Sequence, residues 1–302
     1  ANMGSVVYDA FSVNVQDNTT TTDGTFTVTQ GKLECLSLSC LDFVSGNSDN
    51  MQISDHNTMT YGDSSVQTKF SISAWINMDD ATNFPIISKG IYNTNAEYKL
   101  HVDGSDYLEF LVYDEDVDNC FQGVKYTTAL AQDKWIHVVA TSGATTESGT
   151  AVRGTMKLYV DGVQVNNDTS GSSAASYDAM VNGNGDVYVG KYDSTYADGS
   201  IRDVKMFDYE LSADQVSSLY SGSYNVTPRH WWKMDDNGLH ASGATYFEDY
   251  GWDTDLDGIS SGGDKVNGTL DLDGSLTIAA NGTLSAPRGN LDLADNFNNT
   301  GT

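Results

Sequence analysis

The sequence has 302 residues, of which 42 are acidic and 15 are basic, so its net charge at pH 7 is −27. This charge excludes nucleic acid as a partner, because nucleic-acid affinity depends on Lys and Arg side chains that neutralise phosphates. We also expect no insertion into a membrane, since no apolar run approaches the roughly 20 residues that cross a bilayer. The 29 glycines and 3 prolines favour many short strands joined by turns over a bundle of helices.

Alternating apolar and polar residues predict a series of strands. Strands of this length and spacing indicate an antiparallel sandwich of two sheets, which buries alternate residues between them. Trp75 and Trp135 lie within such strands, so we expect both rings to pack on a sheet rather than to hold a ligand. The predicted strands, in chain order, are KFSISAWINM (69–78), PIISKG (85–90), the AEYKLHVDG and YLEFLVYD hairpin (96–114), KWIHVVATSG (134–143), GTMKLYVDGVQVN (154–166) and GDVYVGKYD (185–193).

A further strand at residues 197–207 runs without an intervening proline or glycine into a segment that predicts one short helix near 212–220. Ser212 has the side chain of an N-cap. Asp214 and Gln215 follow it in the first turn, where an acid or an amide satisfies free N–H groups. The residues expected to anchor this helix on the core are Leu211, Val216 and Leu219.

Four phrases occur in one order along the chain: FSISAWINM, WIHVV, LYVDG and the tail DGSIRDVKMFDYELSADQV. Together they resemble the laminin-G-like branch of the concanavalin A-like jelly rolls, in particular the pentraxin-type and bacterial laminin-G modules. The resemblance covers about residues 40–222. It implies an all-β fold, an antiparallel two-sheet jelly-roll sandwich whose last long strand leads into one short helix.

The two ends of the chain share nearly the same phrase, since DGTFTVTQGKL (23–33) and DGSLTIAANGTL (273–284) both place Asp-Gly, an alternating strand and a second glycine turn in the same order. Such repeats predict flanking strips of β-solenoid or stacked β-layer. The segment TPRHWWKMDDNG (227–238) resembles the opening strand of a laminin-G-like module, and it either begins a second module or completes the first. We expect the chain to be a fragment of a longer modular protein. The predicted domains are an N-terminal β strip (1–39), the jelly roll (40–222), a linker with an Asp-rich loop and a strand of a further module (223–270), and a β-solenoid-like strip (271–302).

The Asp-rich loop DTDLDGISSGGD (253–264) is the sharpest local motif. Ca²⁺ takes about six to eight oxygen ligands, and alternate carboxylates with a glycine at the bend place such oxygens round one ion. The spacing resembles the loops of thrombospondin type-3 repeats more than an EF-hand. The alternative is an acidic linker without a metal. The expected calcium ligands are Asp253, Asp255, Asp257, the backbone carbonyl of Ile259, and Asp264, with Gly258 at the bend.

A second calcium site is implied only by the resemblance to pentraxin-type domains, which hold calcium with residues of two loops. The corresponding loops here are YNTNAEY and KYDSTYADG, so the implied ligands are Asn95, Asp193 and Asp198. The Glu-Gln-Asp run of the family is missing from the second loop, and its absence is evidence against a double calcium site like that of the family. The alternative is that these three residues are ordinary polar residues of surface loops and bind no metal.

Relatives of this sandwich include glucanases, whose carboxylates are spaced along one strand to act as nucleophile and acid. No Glu-x-Asp-x-x-Glu pattern occurs in this sequence, and the acidic run YDEDVDN (113–119) lacks the spacing. His137 lies in a predicted strand and is expected to be structural. We therefore predict that the protein is not an enzyme.

A laminin-G-like fold joined to β-solenoid strips resembles adhesins and the appendage or tail-fibre proteins of phages. This resemblance predicts a non-enzymatic fibre component at an extracellular or virion surface, which binds carbohydrate or mediates adhesion through many copies. Its partners would be a glycan or cell-surface polysaccharide and other copies or modules of the fibre. The alternatives are a structural spacer or decoration protein and, less favoured, a polysaccharide hydrolase. The candidate sugar platforms are the loop tyrosines Tyr92, Tyr113, Tyr192 and Tyr196.

Overall fold

The computed structural model of the chain contains two compact units, Ala1–Cys40 with Lys265–Thr302 and Leu41–Asp264. No helix in the described part of the chain is long and apolar enough to span a bilayer. The structure describes backbone and side chains for residues 40–117, 120–143, 152–171, 177–222, 226–234, 247–253 and 256–263, and the backbone alone for the remaining residues of the helices and strands named below.

The regular elements are mostly short strands. The described residues also include two α-helices, α1 (Gly149–Thr155) and α2 (Ala213–Ser221), and 3₁₀ turns at Ser45–Asn47 and Asn57–Met59. The strands, in chain order, are β1 (Val13–Asn14), β2 (Thr19–Thr20), β3 (Phe26–Glu34), β4 (Cys40–Phe43), β5 (Asn50–Ile53), β6 (Phe70–Asp80), β7 (Phe84–Lys89), β8 (Tyr98–Val102), β9 (Leu108–Asp114), β10 (Cys120–Tyr126), β11 (Ile136–Ser142), β12 (Lys157–Val160), β13 (Val163–Gln164), β14 (Asp168–Gly171), β15 (Val187–Val189), β16 (Lys191–Tyr192), β17 (Thr195–Tyr196), β18 (Asp198–Phe207), β19 (His230–Trp232), β20 (Gly238–Leu239), β21 (Thr245–Phe247), β22 (Gly258–Ser261), β23 (Asp264–Val266), β24 (Thr269–Leu272), β25 (Leu276–Ser285), β26 (Asn290–Leu293) and β27 (Phe297–Asn299).

The Leu41–Asp264 unit is a sandwich of two antiparallel sheets. The ten-stranded sheet has the order β14-β10-β9-β8-β7-β15-β5-β22-β21-β20. The eight-stranded sheet has the order β13-β12-β11-β6-β18-β4-β23, with β19 paired to β18. Strands distant in sequence are neighbours in both sheets, as the crossovers of a jelly roll require. The predicted all-β jelly-roll sandwich is therefore confirmed.

The main core lies between the two sheets and is filled by alternate residues of their strands. Phe70, Ile72 and Ile76 of β6 are fully buried there, as are Phe110 and Val112 of β9. A strand turns successive side chains to opposite faces of its sheet. The residues between these core positions therefore point away from the core and line the outer face of each sheet.

Helix α2 begins and packs as its sequence predicts. The Ser212 hydroxyl accepts a hydrogen bond from the Gln215 N–H at 3.2 Å, and the Gln215 side chain accepts one from the Ser212 N–H at 2.9 Å. This reciprocal pair is a capping box, which satisfies two N–H groups that the first turn leaves free. Leu211, Val216 and Leu219 are buried beneath the helix, so the predicted anchors are confirmed. The shorter helix α1 was not predicted.

The segment 223–264 adds strands to both sheets, which differs from the linker predicted for residues 223–270. β19 pairs with β18 in the eight-stranded sheet, and β22 pairs with β5 in the ten-stranded sheet. Trp232, Met234 and Phe247 are fully buried in the main core. These strands have only three or four residues each, so their alternation is too short to predict burial. The segment completes the first module rather than beginning a second.

The unit built from the two chain ends consists of strands that pair in parallel. One sheet has the order β1-β3-β25-β27, and another has the order β2-β24-β26. The shared phrase lies on β3 and β25, which pair along it with one register shift between Ile278 and Asn281, so that Phe26 pairs with Leu276 before the shift and Gly31 with Gly282 after it. Parallel strands that stack one repeat on the next are the arrangement of a β-solenoid.

Candidate functional site on the ten-stranded sheet

The outer face of the ten-stranded sheet carries two adjoining groups of side chains, one aromatic and one charged. Most of them belong to β8, β9 and β10, at positions that alternate with core residues. The aromatic group, named here the tyrosine cluster, is Tyr92, Tyr113, Phe121 and Tyr192. The charged group, named here the charged network, is His101, Asp103, Glu109 and Lys125.

The tyrosine cluster is centred on Tyr113. Its ring centroid lies 5.7 Å from that of Tyr92, 5.9 Å from that of Phe121 and 6.3 Å from that of Tyr192. Tyr113 is buried, whereas Tyr92 and Tyr192 are half-buried. Burial raises the pKa of Tyr192 above its ordinary value, so its hydroxyl stays protonated at neutral pH. The cluster therefore presents two partly accessible rings on a buried aromatic base.

Backbone and charge contacts hold the two outer tyrosines in place. The Tyr92 N–H donates a hydrogen bond to Asp193 Oδ1 at 3.1 Å. Tyr192 lies on β16, which pairs with β17 in a short hairpin. Lys99 Nζ lies 4.1 Å from the centroid of the Tyr192 ring, a favourable cation–π distance. Lys99 points outward from β8, so it joins the tyrosine cluster to the charged network on the same face.

The charged network consists of two ion pairs made by Lys125 and one hydrogen bond made by His101, whose pKa is lowered by burial so that its ring is neutral at neutral pH. His101 Nε2 lies 2.8 Å from Glu109 Oε2 across β8 and β9, and Lys125 Nζ lies 3.2 Å from Glu109 Oε1 and 2.8 Å from Asp103 Oδ2. Burial alone would raise the pKa of Glu109, but the hydrogen bond from His101 and the charge of Lys125 lower it to about 2. At Asp103, burial would also raise the pKa, but the hydrogen bond from Lys125 outweighs it and the pKa is lowered. Both carboxylates are therefore ionised at neutral pH.

The sandwich that carries these groups matches a known family in sequence. The profile of a family described as the "Concanavalin A-like lectin/glucanases superfamily" matches residues 45–217, which is more than half of the chain. The chain belongs to this superfamily. The laminin-G-like resemblance of the strand phrases is thus confirmed at the level of the superfamily, and the matched range includes the tyrosine cluster and the charged network.

The solved structures that resemble this superfamily member come from several different organisms. A candidate carbohydrate-binding protein from Bacteroides ovatus has a TM-score of 0.47 and 15% identity, and the match covers 78% of this chain and 62% of that one. A heptameric SAP-like pentraxin from Limulus polyphemus has a TM-score of 0.39 and 13% identity, over 70% of this chain and 94% of that one. Domains LG4-5 of the mouse laminin alpha1 chain have a TM-score of 0.40 and 16% identity, over 57% of this chain and 42% of that one. The chain thus spans less than two thirds of the Bacteroides ovatus protein. No curated protein sequence matches the chain.

The structure brings together three of the four tyrosines that were predicted to be sugar platforms, Tyr92, Tyr113 and Tyr192. Tyr113 is only 3% exposed, so it supports its neighbours rather than offering a ring of its own. Tyr196 lies on β17, where Lys191 Nζ is 5.8 Å from the centroid of its ring. That these tyrosines bind a sugar stays a prediction.

The charged network and Phe121 were missed by the sequence analysis. Lys99, His101 and Glu109 do occupy outward positions of the predicted hairpin, between apolar residues of the core face. Charged residues at such positions are ordinary for a solvent-facing strand, so their type alone indicates no site. Only the pairing register shows that His101 and Glu109 lie opposite each other.

The residues of the second predicted calcium site each accept a backbone hydrogen bond that shapes a loop. In the part of the chain that the structure describes, no group of three or more His, Cys, Asp or Glu side chains is arranged to hold a metal. Calcium at these residues therefore stays a prediction. The bonds run to Asn95 Oδ1 from Ile91 N–H at 2.9 Å, to Asp193 Oδ1 from Tyr92 N–H at 3.1 Å, and to Asp198 Oδ1 from Ser45 N–H at 3.3 Å.

The Asp-rich loop has two described carboxylates, and both have partners in the protein. Asp253 Oδ2 accepts a hydrogen bond from Arg229 Nε at 2.6 Å, and Asp257 Oδ1 accepts one from the Asp249 N–H at 3.1 Å. A calcium ion that used Asp253 would compete with the Arg229 guanidinium. The side chains of the other two predicted acidic ligands, Asp255 and Asp264, lie outside the described residues.

Gly258 and Ile259 begin β22 rather than forming the bend that a calcium loop needs. A Cβ atom at Gly258 would lie 2.5 Å from Met51 Sδ, so Gly258→Val would disturb the core whether or not calcium binds. The predicted calcium site is therefore tested better by Asp257→Asn.

If calcium binds the loop, wild-type protein should give a saturable heat change on titration and gain about 2.7 kcal/mol of stability at a hundredfold excess over Kd. Asp257→Asn should reduce both effects, because it removes a charged ligand. Asp178→Asn, at an exposed position outside the loop, should titrate like the wild type. Calorimetric titration with calcium measures the heat, and thermal unfolding with and without calcium measures the gain in stability. Equal heats for wild type and Asp257→Asn would mean that the loop is only an acidic linker.

Proposed function

We propose that this chain is a carbohydrate-binding module without catalytic activity, and that a glycan binds across the tyrosine cluster and the charged network. The observation that carries the proposal is the continuity of the two groups on one outer face. Tyr192 and Tyr113 stack at 6.3 Å, Lys99 lies over Tyr192, and Glu109 follows on the neighbouring strand.

The two groups supply the two kinds of contact that a sugar ring makes. The apolar C–H face of a pyranose packs on an aromatic ring, and its hydroxyls exchange hydrogen bonds with charged donors and acceptors. Tyr92 and Tyr192 offer the half-exposed rings. Glu109 and Asp103 are acceptors, and Lys125 is a donor. Because both carboxylates are already paired, they stay in fixed positions before a ligand arrives, which reduces the entropy lost on binding.

The charges of the network favour binding over cleavage. Glycoside hydrolysis by two carboxyl groups needs one that holds a proton for the leaving group. The pKa of Glu109 is about 2 and that of Asp103 is also lowered. Neither group holds a proton at neutral pH, which supports a face that binds a glycan without cleaving it.

We further propose that the module acts outside the cell, as an adhesion component of a fibre or appendage at a cell or virion surface. The parallel pairing of β3 with β25 supports this setting, because stacked parallel strands extend by adding further strands at an edge. When many copies are held on one fibre, their weak individual affinities for a glycan combine into a high avidity.

A glycan array followed by calorimetry on the glycans that bind tests the proposal. Wild-type protein should bind at least one class of glycan, and Tyr192→Ala should weaken that binding by about tenfold because the outer ring is lost. Tyr192→Phe is the matched control, since it keeps the ring and should retain most of the affinity.

Two results would contradict this proposal. A complete lack of array binding would favour the structural spacer, and release of reducing sugar that Glu109→Gln abolishes would favour the hydrolase. Repeating the array with a chelator shows whether calcium contributes.

A further inference from the structure

The outer face of the eight-stranded sheet carries a second aromatic surface, on the opposite side of the sandwich from the tyrosine cluster. Trp75, Trp135 and Trp231 point outward from this sheet or its strand ends, and Trp252 is on the loop after β21, where Arg229 lies against its ring. We name this surface the tryptophan face. Trp75 is 6% exposed, which confirms the packing predicted for it. Trp135 and Trp231 are half-buried, and Trp252 is 55% exposed.

A cation lies against each of the accessible tryptophan rings, although the chain as a whole has 42 acidic and only 15 basic residues. Arginine and lysine over an indole are held by the negative potential of the ring face. The distances from the guanidinium carbon or the ammonium nitrogen to the ring centroid are 4.5 Å for Arg202 and Trp135, 4.7 Å for Lys205 and Trp231, and 5.6 Å for Arg229 and Trp252.

Lys233 is held between two rings of this surface. Its Nζ lies 3.6 Å from the centroid of Tyr250 and 4.6 Å from that of Trp231. The neighbouring cations are paired, since Lys205 contacts Asp203 and Arg229 contacts Asp253. Among the described residues, no carboxylate lies within 4.0 Å of Lys233 Nζ, and the side chain is half-buried rather than extended into water. The rings therefore hold an ammonium group that forms no ion pair with any of the described carboxylates.

Several cations lie close together on this face. Burial is the main cause that lowers the pKa of His137 to about 3, and the charges of Lys205 and Arg202 contribute to the lowering against the opposing charge of Asp203. Burial likewise lowers the pKa of Lys205, and Arg202 and Lys233 add to that effect against the attraction of Asp203. Since Lys205 and Arg229 are paired with carboxylates, the attraction for an anion comes mainly from Lys233.

Buried polar atoms on the same face lack partners. His137 is 1% exposed, and its Nδ1 has no hydrogen-bond partner. Trp135 Nε1 and Asn77 Oδ1 are also buried and unpartnered. All three side chains point outward from β6 and β11 or the residue before β11. Buried polar atoms are normally satisfied. These atoms are closed to solvent, and the Tyr220 ring of α2 stacks on His137 with its centroid 6.0 Å away, so ordered water rather than a surface ligand is their expected partner.

We propose that the tryptophan face is a second glycan-binding surface, which takes a saccharide that carries carboxylates, such as a chain of uronic acids. Trp231 and Trp252 supply rings for the C–H faces of successive sugars. Lys233 supplies the charge that pairs with a carboxylate, and the hydrogen bond between them is charge-assisted. The inference does not rest on the tyrosine cluster, because the two surfaces belong to different sheets.

A saccharide fits this face better than an acidic peptide does. Trp231 lies on β19, which pairs with β18 on one side and is met on the other by the Trp232–Asp249 bridge and the Tyr250 N–H, so little of its edge is left for an added peptide strand. The protein offers flat aromatic rings with one ammonium group between them. A uronic acid offers a sugar ring that has an apolar face and a carboxylate at its edge, so the two surfaces are complementary. With a glycan site on each sheet, one module would cross-link two polysaccharide chains.

Calorimetry with matched ligands on the full chain tests the proposal. The probes are oligogalacturonate, oligomannuronate and a sialylated oligosaccharide, each beside its methyl ester, which has the same skeleton without the charge. At least one acid should bind about tenfold or more tighter than its ester, and its affinity should fall as salt is raised. Lys233→Met, which keeps the apolar stem, should reduce the affinity for the acid about tenfold and leave that for the ester unchanged.

A control variant separates the position of Lys233 from the loss of one positive charge. Lys134→Met removes an exposed lysine from the loop before β11 and should bind the acid like the wild type. The proposal is overturned if no acid binds more tightly than its ester, or if Lys233→Met binds the acid as wild type does. Equally tight binding of poly-glutamate would replace the glycan with an acidic protein partner.

Discussion

Replacing Lys89 by methionine should lower the free energy of unfolding by about 3–5 kcal/mol at neutral to alkaline pH. The Lys89 side chain is fully buried, and its ammonium group contacts Asp55, Glu97 Oε1 at 3.0 Å and the Gly185 carbonyl at 3.0 Å. Glu97 is also fully buried. Removing the ammonium group leaves the Glu97 carboxylate inside the protein without a counter-charge, and that uncompensated charge is the source of the cost.

The cost should depend on pH, because Glu97 takes up a proton more easily than an ordinary glutamate. Burial raises its pKa from 4.5 to about 7, against the charge of Lys89 and the hydrogen bonds from Lys89, Thr60 and Gly183. A raised folded-state pKa gives stability that is present below the unfolded pKa and is lost as the pH rises through the folded value. In Lys89→Met the pKa of Glu97 should rise further, so the destabilisation should be smaller near pH 5 and grow above pH 7.

Urea unfolding near pH 5.5 and pH 8.5 measures both effects. Lys134→Met is the matched control, since Lys134 is exposed and its loss should change stability by less than about 0.5 kcal/mol. The double variant Lys89→Met/Glu97→Leu should recover much of the loss, because neither charge is left buried. A cost for Lys89→Met that is the same at both pH values would show that lost packing, not the charge of Glu97, is responsible.

The fragment 41–222 should fail to fold cooperatively, whereas the fragment 41–264 should fold. The first ends near the boundary that the sequence analysis predicted for the jelly roll, and the second contains the whole compact unit. The shorter fragment lacks Trp232, Met234 and Phe247, which are fully buried in the main core. Loss of a buried side chain of this size costs about 2–5 kcal/mol, so three together rival the whole stability of about 5–15 kcal/mol of a domain.

Near-ultraviolet circular dichroism and thermal unfolding of the two fragments make the comparison. The fragment 41–264 should give a sharp transition, and the fragment 41–222 should give a broad one or precipitate because β5 and β18 lose partner strands. A sharp transition at the same temperature for both fragments would mean that the segment after residue 222 is dispensable, as a linker would be.

Local patterns predicted most of the sandwich. In β6, β9 and β11, apolar and polar residues alternate, and this alternation predicts which face of each strand is apolar. The pattern depends only on residues that are neighbours in the sequence. The capping box at Ser212 and Gln215 is likewise contained in four consecutive residues. Of the strands that residues 223–264 add to the sandwich, only the one in TPRHWWKMDDNG (227–238) was predicted, because three or four residues are too few to show a period. Their burial depends on β5 and β18, which lie far away in the chain.

The sequence by itself determined the all-β class, the position of helix α2, the repeated phrase at both chain ends and the loop tyrosines as candidate platforms. Each of these follows from composition or from the spacing of residues that are close in the chain. Only the tertiary structure decided which side chains meet. His101 reaches Glu109 through the register of β8 and β9, and Lys233 reaches Tyr250 through the loop after β21. Such contacts depend on which strands are neighbours, and that is set by the burial of the whole core rather than by any local pattern.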